Sequence, residues 1–376
     1  MSRADLVVIG SGIVGLGAAY AAVRRGHSVI VVDRAAAPLG ATVRNFGHLC
    51  IGAQEGEARR YADVSRGLWL RLAREAGFWV RESGTLVAAR HDDEIAVLEA
   101  AAREDDGVRM LETDELLRLA PIRRDGLLGG AHIRTDLQTD PRTAASSIVR
   151  HLAGLGVEFR FRTAATGVRG GRVDTTRGPI DAGRIVVAVN HDIDQLLPEV
   201  AEEAGIERCA LDMMRAAVTL RHPLAAPLLT GWSLIRYGRF TGGREAAALR
   251  ERLHAERPDL AALDLNQMYT QLPDGTLIIG DSHATDAAPP PFQPEAAFAA
   301  FLAEAEELFD MPAPRVIERW QGVYAKGPQE FLVETPDEGV LVLAATTGIG
   351  MTTGLGLAEE NLTAAFGWAP AMEGTA

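Results

Sequence analysis

The chain has 376 residues, of which 47% are hydrophobic and 24% are charged, and its formal net charge is −13. This length allows two domains with their own cores, and the composition is ordinary for a globular protein. The acidic excess argues against nucleic acid or an anionic membrane as a partner, since both bind basic surfaces, but a few arginines in a cleft can still bind a small anion.

The first predicted element is a buried strand that leads into a glycine-rich turn. Residues 6–9 are apolar, and residues 10–15 read GSGIVG, the G-x-G-x-x-G pattern between a strand and a helix. The first glycine allows a tight turn, the second lets the backbone approach a pyrophosphate, and the third lets the helix pack closely on the sheet. The amide groups at the start of that helix are expected to bind phosphates. The predicted cofactor contacts in this turn are Gly10, Gly12, Ile13, Val14 and Gly15.

An acidic residue ends the second predicted strand. Residues 28–32 are mostly apolar, and Asp33 and Arg34 follow them. A carboxylate in this place accepts hydrogen bonds from ribose hydroxyls and favours a free 2′-OH over a 2′-phosphate. The turn and Asp33 therefore predict FAD or NAD rather than NADP, and they leave the choice between FAD and NAD open.

The rest of the chain alternates between helical and extended patterns. A loop of small residues over 40–48 can lie against a flat ring system or a pyrophosphate. An apolar run over 185–189 is typical of a central parallel strand, so Asn190 is expected on the carboxyl edge of the sheet, where ligands bind. Periodicity predicts helices over 55–76, 92–103, 141–155, 244–256, 294–309 and 357–366, strands over 80–89, 157–162, 212–221, 231–240, 267–271, 276–280 and 339–345, and a glycine-threonine loop over 346–356.

This order of elements predicts an α/β fold. Strand-helix-strand units open the chain, recur between residues 143 and 190, and close it, whereas hairpins lie between them. We predict a discontinuous Rossmann-like dinucleotide-binding domain with an inserted, mostly antiparallel β-sheet domain that carries helices and binds the substrate. The expected bounds are 1–84, 143–211 and 318–376 for the cofactor domain and 85–142 and 212–317 for the substrate domain.

The cysteine content indicates a reducing environment. Cys50 and Cys209 are too few for a disulfide framework or a metal cluster, so we expect no metal ion and a cytoplasmic location. The apolar run at the start contains Asp5 and resolves into strand, turn and helix, unlike a signal peptide. No apolar stretch is long enough to span a bilayer.

Taken together, these residues resemble the flavin-dependent amine and amino-acid oxidases of the D-amino-acid oxidase, glycine oxidase and sarcosine oxidase group. The resemblance spans most of the chain and rests on the order of segments and on four motifs. These are the 10–15 turn, Asp33-Arg34, the 40–47 loop and the segment 347–352, which reads TGIGMT.

Three further segments are similar to one branch of that group. They read RNFGH over 44–48, GDSH over 280–283 and RWQGVY over 319–324. The branch oxidises amines that bear acidic groups, including compounds of the aminophosphonate and iminodiacetate type. The resemblance therefore implies a small amine substrate with a carboxylate or phosphonate, and oxygen as the electron acceptor.

The resemblance also implies that the cofactor is FAD. Sarcosine oxidases attach FAD through a cysteine in the segment that matches 319–324, and this chain has none there, so noncovalent FAD is expected. The 42–47 segment is then expected near the pyrophosphate and isoalloxazine, and the 348–352 segment near the flavin pyrimidine. With the glycine turn, the implied FAD contacts are Asp33, Arg34, Thr42, Arg44, Asn45, Phe46, Gly47, Asn190, Gly348, Ile349, Gly350, Met351 and Thr352.

Flavin chemistry of this kind requires the protein to position the substrate rather than to supply a base. The expected reaction is hydride transfer from the carbon beside a neutral amine to flavin N5, which gives an imine, then a carbonyl compound, and hydrogen peroxide with oxygen. The candidate positioning residues are His48, His283, Arg319, Tyr324, Tyr269 and Trp320. Each also has a structural interpretation: a packed histidine, a loop cap, a surface arginine or a core aromatic residue. Arg215 and Arg236 are further anion-binding candidates, and Lys326, the single lysine, is expected in solvent.

Other functions stay open at this stage. Sarcosine oxidases carry a lysine over the flavin that helps oxygen react, whereas the matching hairpin here has leucine and isoleucines over 277–279. An FAD-dependent dehydrogenase of a 2-hydroxy acid is one alternative, and a flavoprotein that serves as a binding module is another. No feature of the sequence indicates an oligomeric state.

Overall fold

A fifteen-stranded mixed sheet runs through the computed structural model, which describes residues 2–368. The strands are β1 (Ser2–Ile9), β2 (Val29–Val32), β3 (His48–Leu49), β4 (Val80–Arg81), β5 (Thr85–Ala89), β6 (Val108–Leu111), β7 (Gly129–Ile133), β8 (Leu137–Thr139), β9 (Glu158–Arg160), β10 (Ala165–Arg169), β11 (Arg172–Thr175), β12 (Ile180–Val187), β13 (Glu207–Ala217), β14 (Leu228–Leu229), β15 (Met268–Gln271), β16 (Leu277–Asp286), β17 (Arg315–Asp337) and β18 (Val340–Thr347).

Helices cover the sheet on both sides of the molecule. They are α1 (Ile13–Val23), α2 (Gly56–Ala76), α3 (Asp92–Glu104), α4 (Thr113–Leu119), α5 (Pro141–Gly154), α6 (Ile193–Leu196), α7 (Pro198–Glu203), α8 (Gly231–Leu234), α9 (Gly238–Thr241), α10 (Arg244–Glu256), α11 (Pro258–Ala262), α12 (Glu295–Phe309) and α13 (Gly350–Phe366), with single 3₁₀ turns over Ala41–Val43 and Asn190–Asp192.

One part of the sheet is parallel, in the order β18-β12-β1-β2-β9. Its central strands are buried on both faces because helices and loops cover them, which is why their sequences are almost entirely apolar. Helices α1, α2, α5 and α13 contribute to one core with Leu6 and Val8 of β1. This arrangement is the strand-helix-strand unit that the opening glycine turn predicts.

The other part of the sheet is mostly antiparallel, and β17 joins it to the parallel part. The first half of β17 pairs with β13 and its second half pairs with β18, both antiparallel. Beyond β13 the order is β16, β15, β14, β5, β7 and β6. A large core lies between these strands and the helices α3, α10 and α12. The predicted fold class is therefore confirmed: a discontinuous Rossmann-like part carries an inserted, mostly antiparallel part with helices.

Two of the expected domain bounds fall within strands rather than in linkers. Residue 211 lies inside β13 and residue 318 lies inside β17. The strand predicted over 80–89 is two strands, since β4 belongs to a small sheet with β3 and β8 whereas β5 belongs to the large sheet. The division into two domains stays a prediction.

Two predictions of secondary structure are wrong. The segment 231–240 forms helices α8 and α9 instead of a strand, because a short apolar run does not distinguish a strand from a buried helical turn. The segment predicted as a loop over 346–356 is mostly helical, since α13 begins at Gly350. Its glycines allow α13 to approach other helices, and a Cβ on Gly356 would lie 2.1 Å from the carbonyl oxygen of Tyr61 in α2.

Two features are absent from the described residues. Among residues 2–368, no helix combines the length and apolarity that a membrane crossing requires. Over the same part of the chain, no group of three or more His, Cys, Asp or Glu side chains is arranged to hold a metal ion.

Candidate active site

A cleft lies where the carboxyl ends of β1, β2 and β12 meet the start of α13. Segments that are far apart in the sequence converge there, because parallel strands end on one edge of the sheet. The predicted cofactor residues that line it are Gly10, Gly12, Ile13, Val14, Asp33, Arg34, Thr42, Arg44, Asn45, Asn190, Gly348, Gly350 and Met351.

The glycine turn leaves room on the cleft side and none on the sheet side. A Cβ added to Gly12 would meet only the Thr42 hydroxyl oxygen, at 3.3 Å, so this backbone is open to a close ligand. A Cβ added to Gly15 would lie 2.0 Å from the carbonyl oxygen of Gly10. The two glycines therefore have separate roles: Gly12 permits close approach by a ligand, whereas Gly15 permits α1 to pack on β1.

Asp33 is fixed in place before any ligand binds. One carboxylate oxygen accepts hydrogen bonds from the Ser11 amide at 2.8 Å and the Ser11 hydroxyl at 2.5 Å, and the other accepts from the Ala35 amide at 2.8 Å. A carboxylate has about four acceptor positions, so one remains for a ribose hydroxyl. Arg34 pairs with Asp192, which also lines the cleft, at 2.5 Å.

The loop over 40–47 is held by its own side chains against the start of α1. The Thr42 hydroxyl accepts a hydrogen bond from the Ile13 amide at 2.8 Å. The Asn45 amide group donates to the carbonyls of Ala41 and Thr42, and its oxygen accepts from the Gly47 amide. This geometry places Thr42 and the amides of α1 on the same wall of the cleft.

Asn190 connects the edge of the parallel sheet to β17. It adopts a left-handed backbone conformation, with φ of 58°, and its side-chain oxygen accepts a hydrogen bond from the Ala325 amide at 2.8 Å. This bond holds β17 over the cleft one residue after Tyr324, so Asn190 is a structural clamp as well as a lining residue.

The other predicted cofactor residues lie elsewhere. Phe46, Ile349 and Thr352 line a second cavity next to the cleft. Gly15 and Gly47 line neither space, and their contact with the cofactor stays a prediction. Gly47 is required for packing, since its φ is +69° and a Cβ there would lie 1.9 Å from the carbonyl oxygen of Thr139.

The second cavity adjoins the cleft and lies under the antiparallel strands. Its walls come from β3, β15, β16, β17, the turn between α8 and α9, and the start of α13. Residues that line both spaces include Asn45, Tyr324, Gly348 and Met351. The Tyr324 ring lies against Gly348, where an added Cβ would be 3.1 Å from the phenol Cζ. A ligand in the cavity therefore lies beside whatever occupies the inner end of the cleft.

Cationic side chains line one part of this cavity. Arg236 lines it and pairs through Nη1 with Asp264 at 2.6 Å. Lys326 also lines it and is half-buried, so the expectation of a solvent-exposed lysine is wrong. Within residues 2–368 the Lys326 ammonium makes no hydrogen bond or close ion pair, although its charge lowers the pKa of Asp264 together with that of Arg236. These charges can hold a carboxylate or phosphonate.

Asp281 and His283 lie on the neighbouring strand β16. His283 Nε2 is 3.4 Å from Asp281 Oδ2, and His283 Nδ1 is 3.0 Å from the carbonyl oxygen of Asp264. Burial raises the pKa of Asp281 against the opposing effect of His283 and Arg236, and burial lowers the pKa of His283. Desolvation thus disfavours charge on both groups when nothing else is bound.

Of the predicted substrate residues, His48, His283 and Tyr324 line the cavity. His48 is also tightly packed: its Nε2 is 2.6 Å from the Thr85 hydroxyl, which donates to Asp136 at 2.7 Å. Burial raises the pKa of Tyr324 well above its usual value, and the neighbouring Cys209 raises it further. Tyr324 is therefore a neutral wall residue at the junction of the two spaces.

Arg319, Trp320 and Tyr269 line neither the cleft nor the second cavity. Arg319 lies five residues before Tyr324 and so points to the opposite face of β17, where both terminal nitrogens pair with Glu295 at 2.8 and 2.9 Å. Trp320 donates to the carbonyl of Arg44 at 3.3 Å. Tyr269 is a core residue, with its ring edge-on to Phe309 at 5.0 Å.

Sequence reasoning missed several residues of the cavity. Asp281 belongs to the GDSH segment, in which only His283 is a predicted site residue. Tyr237 lies in the segment predicted as a strand, and Arg250 lies in α10, which is correctly predicted as a helix. Arg215, in contrast, pairs with Asp274 and lies outside both spaces.

Comparison with known proteins places the chain in a family. The DAO family model, described as FAD dependent oxidoreductase, matches residues 5–362. The chain is 27% identical over 203 residues to a glycine oxidase from Bacillus licheniformis, and this match covers 50% of the chain and 54% of the relative, about half of each. It is 24% identical to a D-amino acid dehydrogenase from Cereibacter sphaeroides, over 73% of the chain and 84% of that protein.

The fold is also that of solved structures. An iminodiacetate oxidase from Chelativorans superposes with a TM-score of 0.76 and 19% identity, over 98% of this chain and 96% of that one. The family match spans nearly the whole chain, and the glycine turn, the fixed Asp33 and the start of α13 meet at one cleft. This protein therefore belongs to the DAO family of FAD-dependent oxidoreductases.

Proposed function

We propose that this protein is an oxidase of a small primary or secondary amine or amino acid that bears a carboxylate or phosphonate. The product is an imine that water converts to a carbonyl compound, with hydrogen peroxide formed from oxygen. One observation supports this most: a cavity with Arg236 and with Lys326, which no described residue pairs with, opens beside the inner end of the FAD cleft. An acidic group bound to these cations brings the adjacent carbon towards that end.

The named relatives agree with this choice of substrate. The names of two relatives contain glycine and iminodiacetate. In both compounds the amine nitrogen is bonded to a carbon that bears a carboxylate. A third relative is named D-amino acid dehydrogenase. Transfer of electrons from the reduced flavin to an acceptor other than oxygen is therefore the competing proposal.

The groups that line the cleft suit the parts of FAD. The open face of Gly12, the remaining acceptor position of Asp33 and the amides at the start of α1 suit the ribose and pyrophosphate. The start of α13 at Gly350 and Met351 suits the ring system, because a helix N-terminus stabilises negative charge. When bound, FAD supplies the acceptor for the hydride that leaves the carbon beside the amine.

The chain itself positions the substrate. Arg236 and Lys326 hold the acidic group, and Tyr324 separates this group from the cleft at the junction of the two spaces. Thr352 hydrogen-bonds with Cys50, which fixes the start of α13 against the cavity floor. Holding the reacting carbon in one orientation lowers the entropic part of the barrier.

The test is anaerobic mixing of the purified holoenzyme with a panel of compounds. We expect bleaching of the flavin near 450 nm by one or more of glycine, sarcosine, D-amino acids, iminodiacetate and aminophosphonates. Bleaching by 2-hydroxy acids alone contradicts the amine proposal in favour of a hydroxy-acid dehydrogenase. A flavin that no compound bleaches supports a binding module. Readmission of oxygen then separates an oxidase, which forms hydrogen peroxide, from a dehydrogenase, which stays reduced.

The flavin is expected to be released on acid precipitation, because no cysteine lies on the RWQGVY segment of β17. We expect all yellow colour in the supernatant and none on the protein pellet. Colour that stays on the pellet contradicts noncovalent binding.

Both cysteines are buried and free, and burial raises the pKa of the Cys50 thiol to about 12. In the native enzyme we expect no reaction of either cysteine with Ellman's reagent, whereas the denatured enzyme exposes two thiols. Free buried thiols also fit the cytoplasmic location that we propose.

A further inference from the structure

Asp281 carries a carboxylate oxygen without a partner in the candidate substrate cavity. The residue is 4% exposed, and its Oδ1 is buried with no hydrogen bond to any described residue. The other oxygen, Oδ2, lies 3.4 Å from His283 Nε2, and the neighbouring Asn266 side chain lowers the pKa of the carboxyl group. A buried carboxylate oxygen that lacks a donor is costly, so such a group in a ligand cavity is a candidate contact for a ligand.

The groups around Asp281 leave it as the acceptor for a positively charged ligand group. The positive charges of Arg236 and His283 act to lower the pKa of Asp281. Asp281 in turn raises the pKa of the Tyr237 and Tyr324 phenols. Asp264 and Glu330 also line the cavity, but Asp264 is already paired with Arg236 and Glu330 is exposed to solvent. The cavity thus holds cations for an acidic group and, at Asp281 Oδ1, a buried carboxylate oxygen that no donor among the described residues contacts.

We infer that Asp281 Oδ1 binds the ammonium group of the substrate and takes its proton. This inference rests on the proposed function, since it assigns the second charge of the amine substrate whose acid the cations hold. The cavity then selects a zwitterion with opposite charges at fixed positions, and it rejects acids that lack an amine.

The proton transfer balances without another reactant. The N–H bond of the ammonium breaks, an O–H bond forms on Oδ1, and the electron pair stays on nitrogen. That pair is needed for the C=N bond when the hydride leaves the neighbouring carbon for the FAD of the holoenzyme. Desolvation, which raises the pKa of Asp281, favours uptake of the proton by this group.

The test compares two acids that differ in one amine and cannot be oxidised. If a carboxylate compound bleaches the flavin, the pair is 2-aminoisobutyrate and pivalate; if a phosphonate does, it is 1-amino-1-methylethylphosphonate and tert-butylphosphonate. The amine member has no hydrogen on the carbon that bears nitrogen, so binding is measured without turnover. Dissociation constants follow from the change in flavin absorption when the oxidised holoenzyme is titrated.

We expect wild type to prefer the amine member and Asp281→Asn to lose affinity for it by about tenfold or more, with about threefold or less change for the amine-free member. In the same variant, kcat/KM for the oxidised compound is expected to fall about 100-fold or more. Asp212→Asn is the matched control. Asp212 is also a buried carboxylate, opposite Ser282 of β16, but it lines neither space and accepts from Gln293 at 2.9 Å.

The outcomes separate this inference from the proposed function. An Asp281→Asn enzyme that prefers the amine member as wild type does contradicts the inference and leaves the proposed function standing. If no amine bleaches the flavin of the wild-type enzyme, the proposed function is contradicted. Titration with 2-aminoisobutyrate and pivalate then tests separately whether Asp281 binds an ammonium group. If the Asn variant does not retain FAD, Asp281→Ser removes the charge with a smaller side chain and is expected to show the same loss.

Discussion

Replacing Gly12 with alanine is expected to abolish tight FAD binding while the apoprotein keeps its fold. The backbone at Gly12 is extended, with φ of −71° and ψ of 175°, so alanine adopts it without strain. The added Cβ meets only the end of the Thr42 side chain inside the protein, but it occupies the space that a pyrophosphate requires. We expect a loss of affinity of about 100-fold or more, equivalent to about 2.7 kcal/mol.

Gly15→Ala is the matched control in the same turn. Its Cβ would lie 2.0 Å from a backbone oxygen, so α1 must move away from β1. The free energy of unfolding of the apoprotein is expected to fall by about 2–3 kcal/mol. FAD affinity comes from fluorescence titration of the apoproteins, and stability comes from urea unfolding of the same samples. If Gly12→Ala destabilises the apoprotein as much as Gly15→Ala does, the separation of roles in this turn is wrong.

The second large effect is expected at Arg236. Arg236→Met removes the guanidinium that lines the cavity, and the KM for an acid-bearing amine should rise by about 100-fold, since truncating one partner of such a charge pair typically costs about 2–5 kcal/mol. The kcat is expected to change much less, because the acidic group is held in both the ground state and the transition state. Stability should change little, since the side chain of its partner Asp264 is 64% exposed and water can solvate it.

Arg215→Met removes the same charge from a site away from the cavity. Arg215 lies on β13, donates to the Thr276 hydroxyl at 2.8 Å and pairs with Asp274. We expect its KM to stay within about threefold of wild type, as for an exposed ion pair. Steady-state kinetics of both variants with the compound that bleaches the flavin gives the comparison. Equal effects of the two substitutions would show that the acidic group is bound elsewhere.

The cofactor site is the part of this protein that its sequence describes best. The glycine turn and Asp33 were recognised because local order is enough there: a strand, a turn and a helix within residues 6–33 bring the contacts together. The segments 40–47 and 348–352 were linked to the same cofactor through the resemblance, and the cleft collects most of their residues. The family match then removes the choice between FAD and NAD that the turn left open.

The substrate cavity was much harder to foresee. Arg319 and Tyr324 looked equivalent on one segment, but the pleat of β17 sends them to opposite faces, and Glu295 of α12 takes the arginine. Arg236 was placed on a strand that is in fact the turn between α8 and α9. Lys326 is half-buried in the cavity rather than in solvent, at the point where the pairing of β17 with β18 shifts register.

The sequence by itself determined the fold class, the dinucleotide turn and the cofactor group, because each depends on residues close in the chain or on motifs of fixed spacing. Only the tertiary structure decided which charged side chains face the cavity. Whether a side chain faces the cavity depends on the register of its strand and on which acidic residue lies close enough to pair with it. Contacts between segments far apart in the chain determine both. Asp281 shows this most clearly, since its free oxygen is a property of the assembled cavity and of no local pattern.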